Sequence, residues 1–198
     1  MWVKDNYLSL ADFFLVARKL GFNKVELNHQ IDSEMLCTVD LGNYGISSIH
    51  EPCPADIPVE TLKKHNWMIS SPDEECRKQG VAAVKRSIEL AGKLSIHTVV
   101  VHCGYVSLDM IPENKLRSLF EEGLRESEQF EEEKSWMVET RLTSIGPCLE
   151  AVEKSLKELI DFASLFGVRL GLENRYHYFD IPTQDEMARL LVLGKPDS

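Results

Sequence analysis

Three residues that commonly bind metal ions stand at the ends of short apolar segments of this sequence. His50 closes residues 46–50, His102 closes residues 98–102, and Glu173 closes residues 168–173. Short runs rich in β-branched residues and bounded by glycine or proline predict buried strands. Because two imidazoles and one carboxylate suit a divalent metal of borderline softness, the pattern predicts a metal site built from three strand ends.

The segments between these strands have the periodicity of helices, so the strands should be parallel. Apolar residues recur at helical spacing, or helix-start signals occur, over residues 10–20, 33–42, 73–94, 112–134, 147–166 and 183–193. Four strands, including a short one at 24–28, alternate with these helices. Alternation of this kind predicts an α/β fold in which the carboxyl ends of the strands meet at one edge of a parallel sheet.

Residue parity along the strands favours a barrel over an open sheet. His50, His102 and Glu173 fall on the same face as Glu26, whereas the alternate positions of every strand are apolar. A doubly wound open sheet needs two apolar faces, but a barrel has an apolar outer face and a mixed interior. The predicted fold is therefore a partial TIM (β/α)8-type barrel with about four to five parallel strands and flanking helices.

Composition favours a small-molecule enzyme of the cytoplasm. The 198 residues carry a net charge of -10 and fit one domain with a substantial core. An acidic chain lacks the general field that attracts nucleic acid. No apolar run of membrane-spanning length and no signal-peptide core is visible, and the five cysteines form no CxxC pair. We therefore expect reduced thiols, a cytoplasmic location and no membrane or nucleic-acid partner.

The chain resembles the xylose isomerase-like (β/α)8 barrels, a family of sugar isomerases, epimerases and AP-endonuclease-type enzymes. The resemblance covers residues 8–193 and is carried by residues 21–27, 49–52, 87–94, 99–104 and 167–174. It implies that His50 and His102 lie at the metal or substrate site. It also implies that Glu173 is a metal ligand and, in the isomerases, a proton-transferring base. The implied cofactor is a divalent ion, either zinc, manganese or magnesium.

Two residues after Glu173 are candidate substrate ligands. Asn174 and Arg175 follow the strand directly and could bind a sugar oxygen or a phosphate. The expected sites are thus Glu173 and His102 for catalysis, His50, Asn174 and Arg175 for the substrate, and all of Glu173, His102 and His50 for the metal.

Other residues near these strand ends have competing interpretations. Glu26 could pair with Arg169 as a structural ion pair. Cys53 could bind a soft metal, and Cys103, with the opposite parity from His102, is expected to be a core thiol. His177 is expected to pack within its loop, with an approach to the site as the alternative.

The resemblance implies that residues 1–198 form one incomplete barrel domain. The first strand and the last three β/α units of a complete family barrel have no counterpart among the predicted elements. Such a sheet would have two open edges, which natural proteins usually cover. We therefore expect a homo-oligomer that covers the edges.

Three functions remain open at this point. The first is a metal-dependent sugar or sugar-phosphate isomerase or epimerase that moves a proton α to a carbonyl. The second is a zinc-dependent AP-endonuclease-like phosphodiesterase. The third is an inactive barrel fragment that needs a partner or further segments.

Overall fold

The computed structural model describes residues 9–108 and 111–194 as alternating helices and strands. In chain order these residues form α1 (Leu10–Lys19), β1 (Val25–Leu27), α2 (Ser33–Cys37), a 3-10 turn (Leu41–Asn43), β2 (Ile46–His50), α3 (Val59–Lys64), α4 (Glu74–Lys93), β3 (Thr98–His102), α5 (Ile111–Glu121), α6 (Glu128–Ser164), β4 (Arg169–Glu173) and α7 (Gln184–Leu191).

The strands form a parallel sheet in the order β1-β2-β3-β4, as in a segment of a barrel wall. The register places His50 beside Val100 and His102 beside Glu173. Each strand is followed by a helical crossover rather than a hairpin turn, which parallel pairing requires. The four parallel strands and their flanking helices confirm the predicted fold class.

The two faces of the sheet differ as the residue parity predicts. Leu27, Ile49, Val99 and Val101 are fully buried in the apolar core. The residues of opposite parity, among them His50, His102 and Glu173, are only partly buried or exposed. One face of the sheet thus packs on helices, and the other face presents the candidate site residues.

Helices α4 and α6 pack together on the apolar side of the sheet. Asp73, the first residue of the predicted helix, is the N-cap of α4 and accepts a hydrogen bond from the backbone amide of Cys76. Arg77 of α4 is almost fully buried, and its guanidinium donates to Ser155 and Glu158 of α6. This ionic contact fixes the two longest helices to each other.

Helix α6 differs from its prediction. The sequence predicted a helix that starts at Pro147, but α6 runs through Pro147 without a break. The preceding polar helix, predicted over 112–134, instead ends at Glu121 before Gly123, which has a φ of +78°. Buried residues precede and follow Pro147 along α6, among them Met137, Arg141 and Leu149. The packing of these residues overrides the local signal for a helix start at the proline. Although α6 has 37 residues, none of the described helices is apolar enough for a membrane span.

Candidate metal centre

His50, His102 and Glu173 converge at the carboxyl ends of three adjacent strands. The Nε2 atoms of His50 and His102 lie 3.0 Å apart. Oε2 of Glu173 lies 3.4 Å from Nε2 of His50 and 3.6 Å from Nε2 of His102. The side chains are 18%, 23% and 48% exposed, respectively, so the cluster is accessible from one side.

The separations within this cluster fit the ligand set of a metal ion. In a tetrahedral zinc site with bonds of about 2.0–2.1 Å, neighbouring ligand atoms lie about 3.3 Å apart. The three observed separations bracket this value. Among the described residues, no other group of at least three histidine, cysteine or acidic side chains has this arrangement. Three protein ligands leave a fourth position for water or substrate, which is typical of catalytic rather than structural sites.

The environment keeps His102 neutral. Burial lowers the pKa of His102 to about 4, and the nearby His50 and Arg175 act in the same direction. A neutral imidazole has a free electron pair for a metal, so His102 is available as a ligand at physiological pH.

The side chain of Glu51 contacts the backbone of His102. Its Oε1 accepts a hydrogen bond of 3.2 Å from the backbone amide of His102. Burial nevertheless raises the pKa of Glu51 to about 7, because desolvation of the carboxylate outweighs this hydrogen bond. Glu51 was not predicted as a site residue, although its position between His50 and Pro52 was a usable signal.

Glu26 is also part of the site, which corrects the expected ion pair with Arg169. Strands β1 and β4 lie at opposite ends of the described sheet, so Arg169 is far from Glu26. Instead Oε1 of Glu26 lies 3.0 Å from Nδ1 of His50, and Oε2 accepts a 2.6 Å hydrogen bond from Ser48.

A pocket of about 240 Å³ adjoins the cluster at His102. Arg175 and Lys63 line this pocket together with two carboxylic acids, Glu51 and Glu60. The pocket thus contains the predicted substrate residue Arg175. Asn174 is exposed and is not among the residues that line the pocket, so the structure does not bring it to the same place.

The remaining candidates lie outside the cluster. Cys53 is fully buried, its Sγ lies 3.8 Å from the backbone oxygen of Ile31, and it is not a member of the cluster. Cys103 is also fully buried, as predicted. Nδ1 of His177 lies 2.9 Å from Oε1 of Glu113 in α5, and its ring is tilted against that of Tyr176. His177 therefore contacts a helix as well as its own loop, which differs from the expected packing within the loop.

The sequence matches the xylose isomerase-like TIM barrels over residues 14–192, so the chain belongs to that family. No protein of curated function matches it at a significant level.

Sugar epimerases are among the solved structures that have the same fold. A D-tagatose 3-epimerase-like protein is 18% identical and superposes with a TM-score of 0.58 over 93% of this chain and 57% of its own. A D-psicose 3-epimerase in the presence of D-fructose is 18% identical, with a TM-score of 0.58 over 95% of this chain and 55% of its own.

An IOLI protein with a binding zinc atom is 15% identical, with a TM-score of 0.56 over 93% of this chain and 53% of its own. At these identities the likeness establishes a shared fold. The chain spans a little over half the length of these three structures.

Proposed function

We propose that this protein is a metal-dependent sugar or sugar-phosphate isomerase or epimerase. The observation that carries the proposal is the convergence of His50, His102 and Glu173 at separations of 3.0–3.6 Å. The family membership and the sugar epimerases among the solved structures support the reaction class. The zinc atom in one similar structure supports a divalent metal, with zinc, manganese and magnesium as the candidates.

Each residue of the centre has a distinct role in this proposal. A divalent ion held by His50, His102 and Glu173 would polarise the carbonyl and hydroxyl oxygens of the sugar. The Glu173 carboxylate accepts the proton α to the carbonyl and returns it, which is general acid–base catalysis. His50 and His102 also orient the sugar oxygens, because both side chains border the accessible side of the cluster.

The pocket next to His102 is the proposed substrate pocket. Its volume of about 240 Å³ is below the range of about 300–1,000 Å³ for pockets that bind drug-sized ligands, which suits a small metabolite. Trp67 and Tyr105 add aromatic surface to the lining. Arg175 and Lys63 provide cations that can bind a phosphate or hydroxyl oxygen of the substrate. Asn174, in the loop that follows β4, is a further proposed ligand of the substrate.

The test of the proposed function is metal-dependent turnover. Protein treated with a chelator and reloaded with zinc, manganese or magnesium would be assayed for aldose–ketose isomerisation and C3 epimerisation of free and phosphorylated sugars. We expect chelation to abolish turnover and Glu173→Gln to lower kcat by about 100-fold or more. Activity that survives chelation, or wild-type turnover in Glu173→Gln, would contradict the proposal. Glu34→Gln, at an exposed glutamate of α2, is the matched control.

Lys63 tests the substrate pocket separately from the metal. Lys63 lines the pocket, whereas the adjacent Lys64, which is also exposed, does not. We predict that Lys63→Met raises KM for a phosphorylated substrate about tenfold with little change for the free sugar, since only the phosphate needs the cation. Lys64→Met should leave both KM values unchanged. Equal KM values for Lys63→Met and wild type would remove Lys63 from the substrate site.

The two-histidine ligand set also favours a second candidate, a zinc-dependent AP-endonuclease-like phosphodiesterase. Imidazole ligands suit zinc, which is the metal that such cleavage would use. The net charge of -10 argues against a nucleic-acid substrate. Cleavage of a duplex with an abasic site in the presence of zinc, without any sugar isomerisation, would favour this candidate over the first.

The proposed compartment is the cytoplasm. All five cysteines are free thiols in the structure, which is typical of proteins from a reducing compartment.

A further inference from the structure

A short chain of hydrogen bonds links strands β1 and β2 directly beneath the candidate metal centre. Glu26 and Ser48 are register partners across the two strands, and His50 lies two residues beyond Ser48 on the same face. Ser48 donates to Oε2 of Glu26 over 2.6 Å, and Oε1 of Glu26 lies 3.0 Å from Nδ1 of His50. Both carboxylate oxygens of Glu26 are thus engaged, one by each neighbour.

This arrangement selects one form of the His50 ring. Ionised Glu26 can only accept hydrogen bonds, so the proton of a neutral His50 must reside on Nδ1. The other ring nitrogen, Nε2, is then unprotonated and faces Nε2 of His102 and Oε2 of Glu173 at 3.0 and 3.4 Å. A metal requires this unprotonated nitrogen, since a protonated one has no free electron pair.

We propose that Glu26 is a positioning residue that holds His50 in the metal-binding tautomer, and that Ser48 fixes the Glu26 carboxylate for this purpose. The inference rests on the proposed metal centre and adds to it a residue that is not itself a ligand. Carboxylates that accept the second N–H of a ligating histidine orient the ring and raise its basicity. Glu26 would have both effects on His50.

The placement of Glu26 supports this role over that of a structural ion pair. The register pairing of Glu26 with Ser48, together with the parity of β2, points Glu26 along the same face as His50. Among the described residues, the Glu26 carboxylate lies within salt-bridge distance of His50 and of no lysine or arginine. A carboxylate whose partner is a proposed histidine ligand is placed to orient that ligand.

Zinc affinity of the metal-free protein is the first test. The dissociation constant for zinc would be measured for wild type, Glu26→Gln, Glu26→Ala, Ser48→Ala and the control Glu34→Gln. We expect both Glu26 variants to bind zinc about 10–100-fold more weakly, and Ser48→Ala to show a smaller loss of the same sign. Glu34→Gln should bind as wild type does. Wild-type affinity in Glu26→Ala, with the fold intact by circular dichroism, would overturn the proposal.

The tautomer of His50 is the second test and needs no metal. Nitrogen-15 NMR of the metal-free protein at about pH 8, where an ordinary imidazole is neutral, reports which ring nitrogen carries the proton. We expect the Nδ1–H form of His50 in wild type and its loss in Glu26→Ala. An Nε2–H form in wild type, or an unchanged ring in Glu26→Ala, would refute the positioning role.

The two tests separate this proposal from the proposed function. If wild type binds no zinc, the metal centre fails while the tautomer result still decides what Glu26 does to His50. If wild type binds zinc and the Glu26 variants bind it equally well, the metal centre stands and the positioning role is wrong.

Discussion

At the scale of single residues, His102 and Glu51 are neighbours whose pKa values shift in opposite senses relative to their reference values. Burial lowers the pKa of His102 to about 4 and raises the pKa of Glu51 to about 7. Both shifts favour the neutral form, as expected for two groups that share a desolvated position. The metal-free site is therefore less charged near neutral pH than its composition suggests.

These shifts predict opposing contributions to the pH dependence of stability. Between about pH 4.5 and 7 the native state holds a proton on Glu51 that the unfolded state has released. The contribution of Glu51 to the stability of the fold is therefore present at low pH and is lost as the pH rises from about 4.5 to 7. The unfolded state protonates His102 below about pH 6.5 and the native state does not, so the His102 contribution is lost as the pH falls from 6.5 to 4.

Glu51→Gln isolates the His102 contribution. In metal-free wild type the two slopes oppose each other between about pH 4.5 and 6.5. We predict that Glu51→Gln makes the free energy of unfolding rise with pH in this interval more steeply than wild type, by up to about 1.4 kcal/mol per pH unit. Urea unfolding at several pH values checks this. Parallel curves for the two proteins would show that the pKa of Glu51 is not raised.

Residue types and alternation predicted much of the candidate site. Strand parity alone placed His50, His102 and Glu173 on one face, because alternation along a strand is a local property. The partner of Glu26 could not be predicted in the same way, since it depends on which strands are neighbours. Strand order is fixed by the packing of the whole chain, and it put His50 rather than Arg169 beside Glu26.

At the level of secondary-structure elements, helix α4 forms one wall of the proposed substrate pocket through a glycine. A Cβ atom on Gly80 would lie 2.4 Å from the backbone carbon of Met68, which is too close for an ordinary contact. Gly80 and Met68 both line the pocket beside His102. The absence of a side chain at Gly80 thus sets the distance between α4 and the segment before it.

We predict that Gly80→Ala destabilises the fold by about 1–3 kcal/mol, since overpacking forces the backbone to shift. Gln79→Ala is the matched control, because Gln79 precedes Gly80 in the same helix and its side chain is exposed. That change should alter the free energy of unfolding by no more than about 0.5 kcal/mol. Urea unfolding measures both effects. An unchanged free energy of unfolding for Gly80→Ala would contradict the prediction and would mean that residues 68–69 shift at little energetic cost.

Helices and strands were predictable from the sequence where the apolar periodicity was regular. Their boundaries were not predictable where tertiary packing overrides local propensity. The capping box at Thr183 and Glu186 predicted the start of α7 correctly. Helix α3 was missed because it is only six residues long and follows a proline-rich segment. The continuity of α6 was missed because proline favours the first turn of a helix, so the sequence around Pro147 predicts a helix start there.

At the scale of the whole molecule, the described sheet ends in two edge strands, β1 and β4. A largely apolar groove of about 610 Å³ lies beside β4, between the end of α6 and α7. Leu170 and Leu172 of β4 line it together with Leu191 of α7, which is 60% exposed. An open strand edge beside apolar surface is a site at which proteins associate.

The proposed homo-oligomer is tested by sedimentation. We predict a species heavier than the 22.5 kDa monomer for wild type, and a shift toward the monomer for Leu191→Glu, because the charge would face the groove. Leu165→Glu changes an exposed leucine outside the groove and should have no effect. A wild-type protein that sediments as a monomer with bound metal and turnover would contradict the oligomer. A protein without metal or turnover would favour the third function, a barrel fragment.

A zinc titration of the metal-free protein decides whether His50, His102 and Glu173 form one metal centre. Calorimetry with wild type, His50→Ala, His102→Ala, Glu173→Gln and the control Glu34→Gln would give stoichiometry and affinity. We predict one zinc ion per chain for wild type and for the control, and affinity at least about tenfold weaker in each of the other variants. No zinc binding by wild type, or wild-type affinity in Glu173→Gln, would show that the three residues do not form one metal centre.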